Sequence, residues 1–235
     1  MFQWYKRADR CYVYLSDLPD DWLRLSDKNS HAFHSGLQAC RWFTRCWTLQ
    51  ELIAPNSVLF YSSTWKLVGS KQDLLEPISD ITRVDPLVLS NKCELHELSV
   101  AKKLSWAAHR QTRRIEDQAY CLLGLLDVNI SLIYGEGEKS FMRLQDELLK
   151  LSADASLFLW FRGIDSGILA PSPRHFHPCG KIVPVRWMKI SHSWEMTHRG
   201  LRITLPILQP SRRGANATSL GILACRTEDD YTSVL

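Results

Sequence analysis

The sequence lacks several features that would place it in a functional class directly. No apolar run approaches the roughly 18 consecutive residues that a helix needs to cross a bilayer, so we expect no membrane span. The seven cysteines include no CxxC pair and residues 1–7 contain no apolar signal segment, which favours a reducing, cytoplasmic compartment. The 29 Lys and Arg residues, against 25 Asp and Glu, form no long basic block, so we expect no nucleic-acid partner.

The composition is typical of an ordinary globular protein. Hydrophobic residues make up 45% and charged residues 23% of the 235 positions, which is enough for one large or two small domains with a sizeable core. The nine tryptophans indicate a densely aromatic core. We find no internal repeat and no low-complexity tract.

The first part of the chain predicts an α/β unit. Residues 11–15 and 57–61 are short β-branched and aromatic runs that predict strands. Between them, residues 41–53 predict one helix that ends before Pro55, because apolar residues recur at helical spacing. These residues are Trp42, Cys46, Leu49 and Ile53. The order strand, helix, strand favours a parallel pair with a right-handed crossover.

The middle of the chain predicts a cluster of three helices. Ser99 caps the first, an apolar stripe over residues 115–126 predicts the second, and residues 141–151 predict the third. Residues 157–161 predict a strand, and residues 201–205 are predicted to pair with residues 221–225 in an antiparallel sheet. We therefore divide the chain into residues 1–160 and a Pro/Gly-rich linker with a small, mainly β segment at 161–235.

Three features with potential reactivity or binding capacity are interpreted as structural. His175, His177 and Cys179 lie within five residues, but no second ligand pair follows at zinc-finger spacing, so we predict a loop and no metal site. Cys46 lies on the apolar stripe, where a thiol behaves as a small hydrophobe. Gly135-Glu136-Gly137 lacks the spacing and the lysine of a phosphate-binding loop, and we predict a tight turn.

A compact cluster of mixed charge lies between two of the predicted helices. It consists of Arg110, Arg113, Arg114, Glu116 and Asp117. Pairs at spacings of three and four favour ordinary surface ion pairs. The alternatives are an arginine–carboxylate network that fixes the helices, or a site for an anionic ligand.

Glu51 is the candidate catalytic residue, and Trp47 is the candidate substrate-binding residue. On the predicted helix Glu51 projects just beyond Trp47, which borders the apolar stripe, so its carboxylate lies at the rim of the core. A carboxylate beside a large aromatic ring suits a site that binds ribose hydroxyls or stabilises a developing cation.

Six separated stretches together resemble the fungal heterokaryon incompatibility (HET) domain family, because they occur in that family's order. They are residues 1–5, 11–17, 41–55, 104–108, 113–124 and 134–137. The resemblance covers about residues 1–160, and residues 200–206 resemble a segment that often follows the domain. The family's opening motifs have no counterpart here, so we expect that the N-terminal part of the domain is missing.

The resemblance implies a fungal module of vegetative incompatibility, which takes part in non-self recognition and cell death mainly through self-association or protein partners. The HET domain is distantly similar to TIR domains, so the resemblance implies a partial TIR-like sheet-and-helix unit. Glu51 is the position that would inherit the glutamate of NAD-cleaving TIR proteins. The alternative function is therefore a TIR-like NAD glycohydrolase, with NAD as a substrate and no cofactor.

Overall fold

The computed structural model describes residues 1–21, 30–161, 167–185, 194–198, 200–208 and 220–230. Strands β1 (Cys11–Tyr14), β2 (Val58–Tyr61) and β3 (Leu67–Ser70) form one sheet in that order. β1 and β2 are parallel, and β2 and β3 are antiparallel. The predicted α/β class and the parallel pairing are confirmed.

Helices account for most of the remaining regular structure. They are α1 (Phe2–Arg7), α2 (His31–Ala39), α3 (Thr48–Ile53), α4 (Leu75–Thr82), α5 (Pro86–Leu89), α6 (Val100–Ser105), α7 (Asp117–Tyr120), α8 (Leu123–Leu126) and α9 (Lys139–Leu151). Shorter 3-10 helices span Arg41–Thr44, Leu95–Glu97, Ala155–Phe158 and Pro173–Lys181. Within the described ranges, no helix has both the length and the apolar character that a bilayer span requires.

The alternation of side chains along the strands decides which face of the sheet enters the core. Val13, Val58 and Phe60 point inward and are buried, whereas Tyr12 and Tyr14 on the same strands point outward and are exposed. This two-residue period is what a half-buried sheet requires. The inner face therefore anchors the helices, and the outer face stays in contact with solvent.

The helix predicted over residues 41–53 is wrong as one continuous element. A 3-10 helix, Arg41–Thr44, is separated from α3 by residues 45–47, where Arg45 is extended and forms an isolated parallel bridge with Gln111. The Gln111 backbone N–H donates to the Thr44 carbonyl at 2.6 Å, and the Cys46 N–H donates to the Gln111 carbonyl at 3.0 Å. These long-range hydrogen bonds use backbone N–H and carbonyl groups that would pair with each other inside an unbroken helix.

The three predicted helices of the middle segment are present, with one interruption. Ser99 Oγ accepts the Lys102 backbone N–H at 3.1 Å and caps α6, as predicted, and α9 matches the third helix. The second stripe is divided into α7 and α8. The Gln50 amide Nε2 donates to the Cys121 carbonyl at 2.6 Å, and the Leu125 N–H bonds to the Leu122 carbonyl instead.

Two predictions for the last third of the chain are wrong. Residues 157–161 do not form a strand: Asp154 accepts the Ser156 N–H at 2.9 Å and caps the 3-10 helix Ala155–Phe158. Nor do residues 201–205 pair with residues 221–225. The pairs are β4 (Ile182–Pro184) with β9 (Cys225–Thr227), β5 (Trp194–Thr197) with β6 (Gly200–Ile203), and β7 (Ile207–Leu208) with β8 (Leu220–Gly221). β5 is the nearest partner of β6, because only two residues separate the strands, and Gly200 at the start of β6 has φ of +124°, which glycine adopts readily.

The hydrophobic core extends past the predicted boundary after residue 160. Phe176, Cys179, Ile182 and Cys225 are buried in the same cluster as the sheet and α9. Phe176 meets Phe141 of α9 edge to face, with ring centroids 6.4 Å apart. The two predicted regions are therefore packed against each other.

Helix α1 closes the core beside α3 and α8. Phe2 approaches Gly124 so closely that a Cβ at position 124 would lie 2.2 Å from the Phe2 Cβ. Only glycine fits at that contact. α1 therefore lies against α8.

Candidate functional site

A cleft of about 590 Å³ lies at the carboxyl end of β1, and we call it the arginine cleft. In open α/β sheets, ligands bind at the carboxyl ends of the strands. Its lining comes from three segments, contributing Tyr14, Ser16 and Asp17; Arg41, Trp42, Thr44, Arg45, Cys46 and Trp47; and Gln111, Thr112, Arg113 and Asp117. The backbone bridge between Arg45 and Gln111 joins the second and third segments, so these two walls of the cleft are held together.

Positive charge dominates the mouth of this cleft. Arg41 is partly neutralised, because its Nε lies 3.4 Å from Asp17 Oδ2 and its backbone N–H donates to the same oxygen at 2.7 Å. Arg45 and Arg113 are exposed, and neither forms an ion pair with a carboxylate of the described residues. The arrangement suits an anionic group, since free guanidinium groups bind phosphate or carboxylate in bidentate fashion.

The structure brings only one of the two predicted site residues, Trp47, to the cleft. Trp47 is half-buried and lines the arginine cleft, but Glu51 does not line it. Glu51 is half-buried, and its charge acts on Tyr5 of α1. Burial raises the pKa of Tyr5 to about 12, and the Glu51 charge adds to this effect, so the hydroxyl keeps its proton.

The five residues of the predicted charge cluster form no ion pair with one another. Arg113 and Asp117 line the cleft, and Asp117 also accepts the Tyr134 hydroxyl at 3.1 Å. The Arg114 guanidinium carbon lies 4.5 Å from the centroid of the Tyr134 ring, a cation–π contact. Arg110 is buried behind the cleft, where its Nη1 donates to the Arg45 carbonyl at 2.8 Å.

Glu116 stabilises the turn at residues 135–137. Its Oε1 accepts the Gly135 N–H at 2.7 Å and the Gly137 N–H at 3.0 Å. Both glycines have positive φ, +100° and +63°, so the predicted tight turn is confirmed. The backbone N–H groups of Glu116 itself, Gly137 and Gly135 lower the pKa of the Glu116 carboxyl, which holds the loop as a carboxylate.

The potential metal ligands near residue 177 point to different partners. His175 packs edge to face against Trp160, and Cys179 donates its thiol to the Leu159 carbonyl at 3.1 Å. His177 faces His109, with ring centroids 5.7 Å apart. Among the described residues, no group of three His, Cys, Asp or Glu side chains converges on one point.

Sequence reasoning missed an exposed apolar surface on the outer face of the sheet. We call it the aromatic face, and it consists of Tyr12, Tyr14, Tyr61, Trp65 and Leu67. Trp65 stacks on Tyr14 at 4.7 Å and lies 5.9 Å from Tyr61. Tyr12, Trp65 and Leu67 are 59%, 62% and 57% exposed. The sequence did contain a signal for this surface, because Tyr12 and Tyr14 lie at alternate positions of the first strand. Alternate residues of a strand point to one face of the sheet, here the face opposite the core.

Comparison with known proteins gives one informative relative. The chain is 36% identical over 203 residues to the vegetative incompatibility protein HET-E-1 of Podospora anserina. This match covers 84% of the chain but only 14% of the relative's length. No protein-family model matches the chain, and no solved structure matches it. The chain is therefore related in sequence to one segment of a fungal vegetative incompatibility protein.

Proposed function

We propose that the chain is a cytoplasmic module of fungal vegetative incompatibility, which contributes to non-self recognition and cell-death signalling through the assembly of protein chains. The similarity to the Podospora anserina protein supports the biological role. The six motifs support the finer assignment that residues 1–160 are the C-terminal portion of a HET domain. In that assignment β1, α3 and β2 form the TIR-like unit.

The observation that carries the assembly mechanism is the aromatic face. Parallel strands normally have both faces covered by other elements, yet the outer face of β1 and β2 is exposed. A contiguous exposed apolar patch marks an interaction surface, and aromatic residues are enriched in such interfaces.

A second copy of this chain is the proposed partner, because the rim of the aromatic face carries both signs of charge. Lys66 pairs with Asp20 at 2.5 Å, and Arg41 approaches Asp17 at 3.4 Å. A two-fold interface places each patch against itself, so a rim with both cations and anions is self-complementary.

Sedimentation velocity over a range of concentrations tests this proposal. The wild type is expected to show a weight-average mass that rises with concentration. Trp65→Ser is expected to weaken self-association by about tenfold or more, since a central tryptophan contributes about 2 kcal/mol. The matched control is Leu132→Ser, because Leu132 is 56% exposed but lies outside the aromatic face. A wild-type chain that is monomeric up to its solubility limit, or an equal effect of both variants, contradicts the proposal.

A second candidate function is an NAD glycohydrolase activity that depends on Glu51. The arginine cleft favours it, because its volume suits a nucleotide and its arginines suit a diphosphate. Glu51 faces Tyr5 and not the cleft, so this activity requires α1 to move away from α3. In the proposed reaction the Glu51 carboxylate holds the nicotinamide ribose and stabilises the oxocarbenium-like transition state.

Nicotinamide release measured by chromatography after incubation with NAD tests the enzymatic candidate. Glu51→Gln is expected to abolish release, whereas Glu76→Gln, which changes an exposed carboxylate in α4, is expected to retain it. Equal background release from the wild type and Glu51→Gln rejects the activity and leaves the assembly proposal unaffected.

A further inference from the structure

A second cavity, of about 420 Å³, is separate from the arginine cleft, and we call it the lysine pocket. Helices α1, α3, α5, α6 and α8 and the 3-10 helix Leu95–Glu97 all contribute residues to its lining. The two cavities share no lining residue. Small-molecule sites in proteins have volumes of about 300–1,000 Å³, so the lysine pocket is large enough for a small ligand.

The lining of the lysine pocket divides into an apolar interior and a polar mouth. With the exception of one lysine, the buried lining residues are aliphatic: Ile53, Ala54, Val88, Leu125 and Leu126. The exposed lining residues are all polar: Gln3, Lys6, Asn56, Asn91, Glu94, His96 and Asp127. This division suits an amphipathic ligand, because its apolar part can leave water while one polar group fixes its orientation.

The single polar residue of the buried lining is Lys103 on α6, which is 7% exposed. Its Nζ forms no ion pair and no hydrogen bond with the residues that the structure describes. Two other buried lysines do have partners. Lys71 donates to two backbone carbonyls, and Lys102 pairs with two carboxylates. Lys103 therefore brings an unpartnered amine to the wall of a cavity.

The nearby carboxylates do not supply the missing partner. Burial lowers the pKa of Lys103, and the charges of Asp154 and Asp127 oppose this effect, but neither forms an ion pair with it. The two oxygens of Asp154 accept the backbone N–H groups of Val100 at 2.7 Å and Ser156 at 2.9 Å. Asp127 is exposed at the mouth. The buried ammonium group thus lacks the close anion that would offset the cost of its burial.

We propose that the lysine pocket binds a small apolar molecule that carries one carboxylate. The carboxylate pairs with Lys103 Nζ, and the apolar part of the molecule packs against the aliphatic interior. A single negative charge matches the single buried lysine. The mouth carries two carboxylates, Glu94 and Asp127, against one lysine, Lys6, so it repels a ligand with several negative charges, such as a phosphate ester. This site shares no residue with the aromatic face and does not depend on the proposed function.

Isothermal titration calorimetry of the full chain with octanoate and with 4-phenylbutyrate tests the proposal. The uncharged amides octanamide and 4-phenylbutyramide are the matched ligands, because they keep the shape of each acid and remove its charge. At least one carboxylate is expected to bind saturably, with one molecule per chain. Its amide is expected to bind about tenfold or more weakly, since a hydrogen bond between charged groups is stronger than one to a neutral group.

The Lys103→Met variant tests the role of the buried amine. It keeps the length of the side chain and removes the charge, so the carboxylate and its amide are expected to bind with equal affinity. The variant is expected to fold, because it replaces an unpartnered buried charge with an apolar side chain, and circular dichroism verifies this. Lys92→Met is the matched control, since Lys92 is exposed and does not line the pocket, and it should bind as the wild type does.

Two variants at the mouth locate the bound charge. Asp127→Asn removes a negative charge beside the pocket, and asparagine tolerates the φ of +54° at this position, so the variant is expected to bind the carboxylate more tightly. Lys6→Met is expected to weaken binding by less than about twofold, because the exposed Lys6 ammonium is well solvated.

Three results would each overturn the proposal. The first is the absence of saturable binding of both carboxylates to the folded wild type. The second is equal affinity of the wild type for a carboxylate and its amide. The third is a preference for the carboxylate that persists in Lys103→Met, or that Lys6→Met abolishes, since the ligand charge would then lie at the mouth. None of these results bears on self-association through the aromatic face.

Discussion

Lys71 shows how a single buried charge affects this protein. It directly follows β3 and is 1% exposed, and its Nζ donates to the Pro55 carbonyl at 2.7 Å and the Leu52 carbonyl at 3.3 Å. No carboxylate of the described residues pairs with it. Burial lowers the pKa of Lys71 to about 8, although the charge on Cys11 acts in the opposite direction.

This shift predicts that stability rises with pH above neutrality. Between the folded pKa of about 8 and the unfolded value of 10.5, the unfolded chain binds more protons, so the free energy of unfolding increases with pH. Buried thiols have the opposite effect: burial raises the pKa of Cys225 from the ordinary 9 to about 12, so the free energy of unfolding decreases above pH 9. The effect of Lys71 can therefore be measured between about pH 7 and about pH 9. Over this range Lys71 increases the free energy of unfolding by about 1 kcal/mol.

Urea unfolding at both ends of this window checks the prediction. The wild type is expected to gain about 1 kcal/mol more than Lys71→Met as the pH rises, because the variant lacks the titrating group. Lys150→Met, which removes an exposed lysine, serves as the control and should follow the wild type. Parallel curves for the wild type and Lys71→Met would show that Lys71 is not the titrating group.

At the residue scale, the sequence predicted which side chains are buried better than it predicted which side chains contact each other. Trp42, Cys46 and Leu49 are buried as their spacing required. The partner of Glu51 could not be predicted, because Tyr5 is contributed by α1, 46 positions earlier in the chain (51 − 5). The roles of Glu51 and Trp47 stay predictions. Contacts over such separations depend on tertiary packing, and local periodicity carries no information about them.

At the element scale, one buried ion pair network joins α6 to two other parts of the chain. Lys102 Nζ lies 2.9 Å from Asp85 Oδ2 and 2.5 Å from Glu228 Oε1. Asp85 also caps α5 by accepting the Leu87 N–H at 2.8 Å. Burial lowers the pKa of Lys102, but the hydrogen bonds with both carboxylates outweigh this effect and raise the pKa above its ordinary value. The lysine therefore stays charged.

Lys102→Met is expected to destabilise the protein by about 3 kcal/mol, because two carboxylates lose their partner and Asp85 is largely buried. The control is Lys181→Met, which breaks the exposed pair with Asp229 and is expected to cost less than about 1 kcal/mol. Chemical denaturation of the two variants gives the comparison. Equal losses would mean that the Lys102 network contributes no more than a surface pair.

The predicted elements failed where a distant group interrupted a local pattern. The stripe over residues 41–53 has helical spacing, but Gln111 takes the backbone groups of Thr44 and Cys46. The stripe over residues 115–126 is divided because Gln50 takes the Cys121 carbonyl. In contrast, the Trp194 indole N–H donates to the Leu149 carbonyl of α9 at 2.8 Å, but this carbonyl lies in the last turn and has no partner within the helix. The 13 residues of α9 therefore follow the pattern of their sequence. Periodicity therefore predicted the buried face in all three cases, and hydrogen-bond competition decided the continuity of the helix.

At the scale of the whole molecule, the arginine cleft and the aromatic face are adjacent. Tyr14 belongs to both, since its ring stacks on Trp65 and its side chain lines the cleft. Its hydroxyl also donates to the Ser63 carbonyl at 2.9 Å. A protein that covers the aromatic face therefore contacts the rim of the cleft, and a ligand in the cleft contacts the edge of the interface. The proposed assembly and the proposed ligand binding would therefore be coupled through Tyr14.

The position of Phe176 predicts that the chain unfolds as one cooperative unit. Phe176 lies beyond the predicted boundary after residue 160, yet it is fully buried against Phe141, and its 3-10 helix packs on α6. Phe176→Ala is therefore expected to destabilise the whole protein by about 3–5 kcal/mol. Tryptophan fluorescence and far-ultraviolet circular dichroism should then shift together to a lower denaturant midpoint.

The exposed Phe161 provides the matched control on the same side of that boundary, because it is 71% exposed. Phe161→Ala is expected to change the free energy of unfolding by less than about 0.5 kcal/mol. If Phe176→Ala instead separates the two probes into distinct transitions, residues 161–235 unfold independently and the division of the chain at residue 160 describes two domains. Coincident transitions mean that the residues around Phe176 complete the core that holds the sheet and the arginine cleft in place.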